Sequence, residues 1–181
     1  MIIYKNQRVG VFVDVQNMYH SAKNLYHSNV NFSKILEKAI AGRQIIRSIA
    51  YVTKSDTKEE KIFFDVISKQ GFELKIKDLQ IYPGGMKKSD WDVGLAVDAI
   101  KMANKLDVVV LVSGDGDYTP LVSYLQNNKG CLVEVIAFGE TTSSKLIEAA
   151  DGFTDLSKDK KKFLIKRLSQ ALTNNNSKKH S

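Results

Sequence analysis

The chain has 181 residues, 43% hydrophobic and 26% charged, a balance that suits one folded domain and excludes a disordered or collagen-like chain. No apolar run nears the roughly 18 residues of a membrane span, and the single cysteine, Cys131, excludes an internal disulfide. The net charge of +7 lies wholly at one end: residues 158–181 carry eight Lys/Arg and one acid, residues 1–157 carry 19 of each sign. A basic tail suits a polyanion such as nucleic acid, and a merely solubilising tail has the same composition. MIIYKNQRVGVFVDV shows no basic-then-apolar leader pattern, so the expected compartment is a reducing cytoplasm.

In chain order, VGVFVDV (9–15) is a short Val-rich run of the kind buried in parallel sheets. NFSKILEKAIAG (31–42) reads as a helix stopped by Gly, and QIIRSIAYVT (44–53) as a second strand. SDTKEEKIFFDVISKQG (55–71) opens with capping residues and closes at Gly71, which predicts a helix; FELKIKDL (72–79) alternates like a strand. YPGG (82–85) is a turn, and SDWDVGLAVDAIKMANKL (89–106) a helix with Ser89 or Asp90 as its N-cap. DVVVLVS (107–113) is the clearest core strand, YTPLVSYLQNNKG (118–130) a helix, and CLVEVIAF (131–138) a strand that buries the Cys131 thiol. TSSKLIEAA (142–150) is a short helix and GFTDL (152–156) a last edge strand.

Strands alternate with helices, which predicts an α/β fold: a three-layer, mostly parallel sheet flanked by helices, over residues 1–157. Residues 158–181 form a basic appendage. Phe163, Leu164, Leu168, Ala171 and Leu172 fall on one helical stripe there, and the chain after TNNNS is expected to be disordered.

In a parallel sheet all strands end at one edge, where ligands bind. Asp14 ends the first strand. Asp115 and Asp117 follow the strand that ends near Ser113, and Asp92 lies in the first turn of the helix leading into that strand. Each alone has a plain reading as turn former or cap, and Asp117 in particular could cap the helix that starts around Tyr118. Together, four like charges at one edge need a cation, and hard oxygen donors suit Mg²⁺ or Mn²⁺. Asp98, six residues after Asp92, sits about 120° around the helix and roughly 9 Å further on, too far for both to bind one ion easily. The Gly114–Gly116 pair is expected to let the chain bend sharply after the strand.

VGVFVDVQNMY, KKSDWDVGLAVDAIKMA and DVVVLVSGDGDYTPLVSYLQNNKGCLVEVIAFG together resemble the NYN domain, in its LabA-like branch, over roughly residues 8–156. The resemblance implies a PIN-like, Rossmann-like α/β fold with an acidic site, and several family members are metal-dependent ribonucleases. It maps the acidic positions onto Asp14, Asp92, Asp98, Asp115 and Asp117, with Asn17 at the polar position after the first Asp and Ser113 at the Ser/Thr position before the last pair. One departure is visible: KKSDWD stands where many members have Lys-Gly-x-Asp.

The expectation is Mg²⁺- or Mn²⁺-assisted hydrolysis of single-stranded RNA, with Asp14, Asp92 and Asp115 as direct ligands and Asp117 and Asp98 acting through water or orienting the ion. Asn17 and Ser113 offer hydrogen bonds to phosphate, and Lys87 and Lys88 of the YPGGMKKSD loop offer it charge. Trp91 could stack on a base, although packing is the commoner role for a Trp in a first helical turn. The alternative from another class is a non-catalytic or weakly catalytic RNA-binding module. No membrane partner is expected; a homodimer is compatible with the sequence.

Overall fold

The computed structural model describes residues 3–54, 57–81, 87–88 and 90–165, with the backbone alone at 80–81 and 87–88. In chain order the elements are β1 (Arg8–Asp14), α1 (Val15–Tyr26), β2 (Asn29–Val30), α2 (Phe32–Ile40), β3 (Gln44–Lys54), α3 (Lys58–Lys69), β4 (Glu73–Asp78), β5 (Gln80–Ile81) and β6 (Lys87–Lys88). Then come α4 (Asp92–Ala103), β7 (Val108–Val112), α5 (Thr119–Lys129), β8 (Leu132–Ala137), α6 (Ser144–Ala149), β9 (Gly152–Asp155), α7 (Lys160–Phe163) and β10 (Leu164–Ile165).

Six strands form one sheet in the order β4-β3-β1-β7-β8-β9, and every pairing in it is parallel. From β1 the chain runs outward to β3 and β4, then crosses back to β7 and builds the other half. The switch point therefore lies between β1 and β7, where a parallel sheet opens a crevice beyond its strand ends.

Period-two alternation decides which face each residue covers. Val9, Val11 and Val13 pack with Met18, Ala22, Phe32 and Ile35 of α1 and α2 on one face. Phe12 points the other way, toward Leu95 and Ala99 of α4 and Leu125 of α5. β7 repeats the pattern, Val108, Val110 and Val112 against Val109 and Leu111, and all five are buried. Removing each such side chain from water contributes about 1.5–3 kcal/mol before chain entropy is counted. Cys131 is buried too, its Sγ against the carbonyl oxygens of Ala103 and Leu106. No helix among the described residues is long and apolar enough to cross a membrane.

The structure departs from the sequence expectation in three places. First, α4 begins at Asp92, after Trp91, with no side-chain cap; Asp90 does not cap it, and Ser89 lies outside the described residues. Second, the packed unit does not stop at residue 157. Phe163 is buried in the first core, and its carbonyl accepts a hydrogen bond from the Asn31 backbone N–H at 2.8 Å. Third, the helical stripe breaks at once. α7 ends at Phe163, and Leu164 turns into β10, which pairs antiparallel with β2. An apolar neighbour and a free strand edge at Val30 override helical spacing there. Leu168, Ala171 and Leu172 lie outside the described residues.

Candidate metal centre

β1 and β7 bring their ends side by side, and the acids follow. Asp14 caps α1: its Oδ1 accepts the Asn17 backbone N–H at 3.0 Å, and it is 8% exposed. Asp92 is the first residue of α4. Asp115 caps the short 3-10 turn Gly116–Tyr118, accepting the Asp117 backbone N–H at 3.0 Å. The cap of this loop is therefore Asp115, not Asp117, whose carboxylate stays exposed.

One carboxylate oxygen each from Asp92, Asp115 and Asp117 lies within 4.8 Å of the others. Such a spacing fits three hard donors around one divalent cation after small side-chain adjustment. Among the described residues no lysine or arginine pairs with any of these three or with Asp14. The donor set therefore fits Mg²⁺ or Mn²⁺. An open cleft of about 320 Å³ covers the cluster, lined by Asp14, Asn17, His20, Asp90, Asp92 and Asp115 among others. Two helices, α1 and α4, also start here, and the partial positive charge of their first turns favours anions at the same edge.

Tyr118 is the group the sequence reading left without a role. It is 1% exposed, and its hydroxyl lies 3.1 Å from Asp92 Oδ1 and 3.4 Å from Asp14 Oδ2. One O–H carries one proton, so it donates to one carboxylate at a time. The only signal in the sequence was a Tyr directly after two acids. Burial raises the Tyr118 hydroxyl above the usual phenol range, and the charges of Asp14 and Asp92 add to this. Burial likewise pushes the Asp14 carboxyl up to about 6, against the Asn17 hydrogen bond and helped by the charges of Asp92 and Asp115. Asp92 is raised as well, by burial first and then by Asp115, Asp90 and Asp117.

The other predicted residues are placed differently. Asn17 is in the cleft, where its Oδ1 accepts the Gly114 N–H at 3.0 Å and so ties α1 to the loop after β7. Ser113 is fully buried, and its Oγ accepts the Asp115 N–H at 3.2 Å; it shapes the loop rather than facing solvent. Asp98 is not brought into the cluster. Its Oδ2 accepts from Lys75 at 2.5 Å and Tyr51 at 2.9 Å. Burial works against its charge, but these two partners outweigh that and hold its carboxyl below the usual range. Trp91 donates its Nε1–H to the Val52 carbonyl at 3.0 Å and meets the Tyr51 ring edge-on at 5.3 Å, so it packs. Lys87 and Lys88 form β6, paired antiparallel with β5, as far as their backbone goes.

The two loop glycines are needed for a different reason from the one expected. Neither has a positive φ. A Cβ at Gly114 would come within 2.9 Å of Thr142 Oγ1, and one at Gly116 within 2.8 Å of Ser143 Oγ. Close approach of the segment before α6 is what excludes a side chain there.

The chain is similar to known proteins along nearly its whole length. The NYN domain family matches residues 8–157. The Low amplitude and bright protein LabA of Synechococcus elongatus is 22% identical over 163 residues, which is 84% of this chain and 86% of that protein. The crystal structure of a protein of unknown function from Vibrio parahaemolyticus superposes with a TM-score of 0.82 at 32% identity, over 91% of this chain and all of that one. An all-parallel sheet with an aspartate cluster at its switch point agrees with these likenesses: the chain belongs to the NYN domain family.

Proposed function

We propose that the protein is a metal-dependent ribonuclease that hydrolyses phosphodiester bonds of single-stranded RNA in the cytoplasm. The observation that carries this reading is the convergence of Asp92, Asp115 and Asp117, with Asp14 beside them and no basic partner among the described residues. Membership of a family related to the PIN nucleases supports it.

In this reading Asp92, Asp115 and Asp117 hold Mg²⁺ or Mn²⁺, and Asp14 supplies a fourth carboxylate at the cleft wall. A bound divalent ion supplies Lewis acidity toward phosphate and water. Asn17 fixes the loop after β7 and turns its remaining amide donors to the cleft. Ser113 sets the direction of Asp115. Asp98, through Tyr51, holds Trp91 against the first turn of α4 and so helps to place Asp92. Lys87 and Lys88 give charge for the RNA backbone.

The test is cleavage of a labelled single-stranded RNA with Mn²⁺ or Mg²⁺, with chelator and Asp115→Asn as controls. The expected result is cleavage that both controls abolish. Mn²⁺ binding without cleavage of any RNA or DNA in a broad panel would overturn the catalytic reading and leave a binding module.

A further inference from the structure

Two surfaces border the metal cleft along α1, and they differ in charge. Toward α3 lies a groove of about 580 Å³ that shares Gln16 and His20 with the cleft. Its walls are mainly apolar, and no lysine or arginine is among the described residues that line it. A phosphate backbone finds no counter-charge on those walls. The other surface follows the length of α1.

Three hydrogen bonds tie α1 to the loops after successive strands. The Gly114 N–H after β7 donates to Asn17 Oδ1, the Thr141 hydroxyl after β8 donates to Ser21 Oγ, and the Tyr26 hydroxyl donates to Ser157 Oγ after β9, each at 3.0 Å. α1 therefore lies along the edge where the strands end, from the metal cleft toward β9. The helix contains no acidic residue, and its 12 residues span about 18 Å. Gln16, His20 and Lys23 stand at i, i+4 and i+7, one row on its surface, and the first two line the cleft. Lys23 is exposed, with its Nζ 5.5 Å from the centre of the Tyr19 ring.

Positive charge gathers at the far end of α1. Lys158, Lys160, Lys161 and Lys162 follow β9. Lys160 Nζ lies 4.4 Å from the centre of the Tyr26 ring, so the lysine run touches the last turn of α1. Asp155 and Asp159 turn carboxylate oxygens to backbone N–H groups, those of Gly139 and Ser157 for the first and of Lys162 for the second. Glu140 meets Lys160 at 3.5 Å, an exposed pair of the kind that holds little energy against a competing phosphate.

The geometry points to α1 as the track of the RNA strand. Resting on the ribonuclease reading above, the strand leaves the metal cleft past His20, crosses Lys23, and is gripped at the far end by Lys158, Lys160 and Lys161. A span of about 18 Å takes roughly five nucleotides of a stacked strand at about 3.4 Å each. Contacts of this kind hold phosphates and position the strand without reading its bases.

The experiment is binding of a labelled single-stranded RNA of about twelve nucleotides to the full-length chain in EDTA, where metal-dependent cleavage is off. Lys23→Glu/Lys161→Glu is compared with Lys69→Glu/Lys105→Glu. The second pair makes the same charge change on exposed lysines that precede β4 and β7, at the opposite edge of the sheet. The first pair should weaken binding at least about tenfold and lower the slope of log K against log salt by about 1.4, two contacts at roughly 0.7 each. The second should stay within about twofold. Equal effects of the two pairs, or no binding by the unaltered protein at low salt, would overturn the proposal. Photo-crosslinking of thiouridine-labelled RNA to the unaltered protein supplies a second measurement that no folding defect can disturb. Crosslinked peptides should contain residues 19–23 or 158–161, and crosslinks confined to other peptides would equally overturn it. The ribonuclease reading fails separately: binding that follows the track without cleavage of any RNA sinks that reading and upholds the track, whereas cleavage indifferent to Lys23→Glu/Lys161→Glu sinks the track and upholds the nuclease.

Discussion

The two edges of the central sheet treat charge in opposite ways. At the edge where the strands begin, three acids have an arginine, and Asp151 accepts from the Gln126 amide and the Val133 backbone N–H. Asp107 takes a bidentate bond from Arg8, Glu73 pairs with Arg47, and Glu134 with Arg43. At the edge where the strands end, Asp14, Asp92, Asp115 and Asp117 gather, and among the described residues a tyrosine hydroxyl and backbone N–H groups are what bind them. The first edge satisfies its charges within the fold. The second leaves a deficit of positive charge that a cation can fill, and that difference marks it as a site. Arg43 shows how far the first edge goes: its side chain is 1% exposed, it donates to Glu134 at 2.6 and 2.9 Å, and it closes the end of α2 through the Ala39 and Ile40 carbonyls.

If the strand-end edge is a working site, its acids should be costly for activity and nearly free for folding. Asp115→Asn or Asp92→Asn is therefore expected to lower metal-dependent RNA cleavage by roughly a thousandfold or more, about 4 kcal/mol. It should also remove the rise in melting temperature that Mn²⁺ gives the unaltered protein. The opposite edge should behave the other way. Arg43→Met leaves Glu134 without its partner and is expected to destabilise by about 3–5 kcal/mol in urea unfolding, and Arg43→Met with Glu134→Leu should recover most of that.

Asp14 brings the two behaviours into one residue. With its carboxyl near 6 in the fold and 3.8 as the reference, the folded protein binds more protons than the unfolded chain between those values. Stability of the metal-free protein therefore falls as pH rises through that window, by up to about 3 kcal/mol, and is greatest on its acid side. Asp14→Asn keeps an oxygen to cap α1, so it should flatten this slope and stabilise the metal-free protein at pH 8 by about 1–3 kcal/mol. Thermal melts with and without Mn²⁺ check it, because the same change should also weaken the metal response. A variant less stable than the parent at pH 8 would sink the argument.

Tyr118→Phe is expected to weaken Mn²⁺ binding about tenfold in a calorimetric titration, because hydroxyls that hold ligating carboxylates commonly carry that much affinity. The smallest effect belongs to Asp98. Asp98→Asn should cost about 1 kcal/mol of stability through weakened bonds to Lys75 and Tyr51. It should leave Mn²⁺ affinity within about twofold, and a loss comparable to that of Asp92→Asn would place Asp98 among the direct ligands.

Much of this was legible in the chain itself. The Val-rich runs at 9–13 and 108–112 specify buried parallel strands, and the alternation of strand and helix specifies layers on both faces. With those given, Asp14, Asp92 and Asp115 had to meet, because parallel strands end together. Short-range pattern did not reach further. β10 pairs with β2, and Arg43 with Glu134, across gaps of more than 90 residues, and no local spacing records such partners. In the sequence Tyr118 is only the start of a helix, and the fold turns its hydroxyl between two acids.

The sequence by itself determined the parallel sheet and the edge at which the acids collect, since both follow from periodicity and strand direction. Only the tertiary structure decided how those acids divide. It set Asp92, Asp115 and Asp117 within reach of one ion, wedged Tyr118 between Asp14 and Asp92, and gave Asp98 to Lys75. The physical reason is that a carboxylate's role depends on its nearest charges and its burial, and both are set by residues far away in the chain.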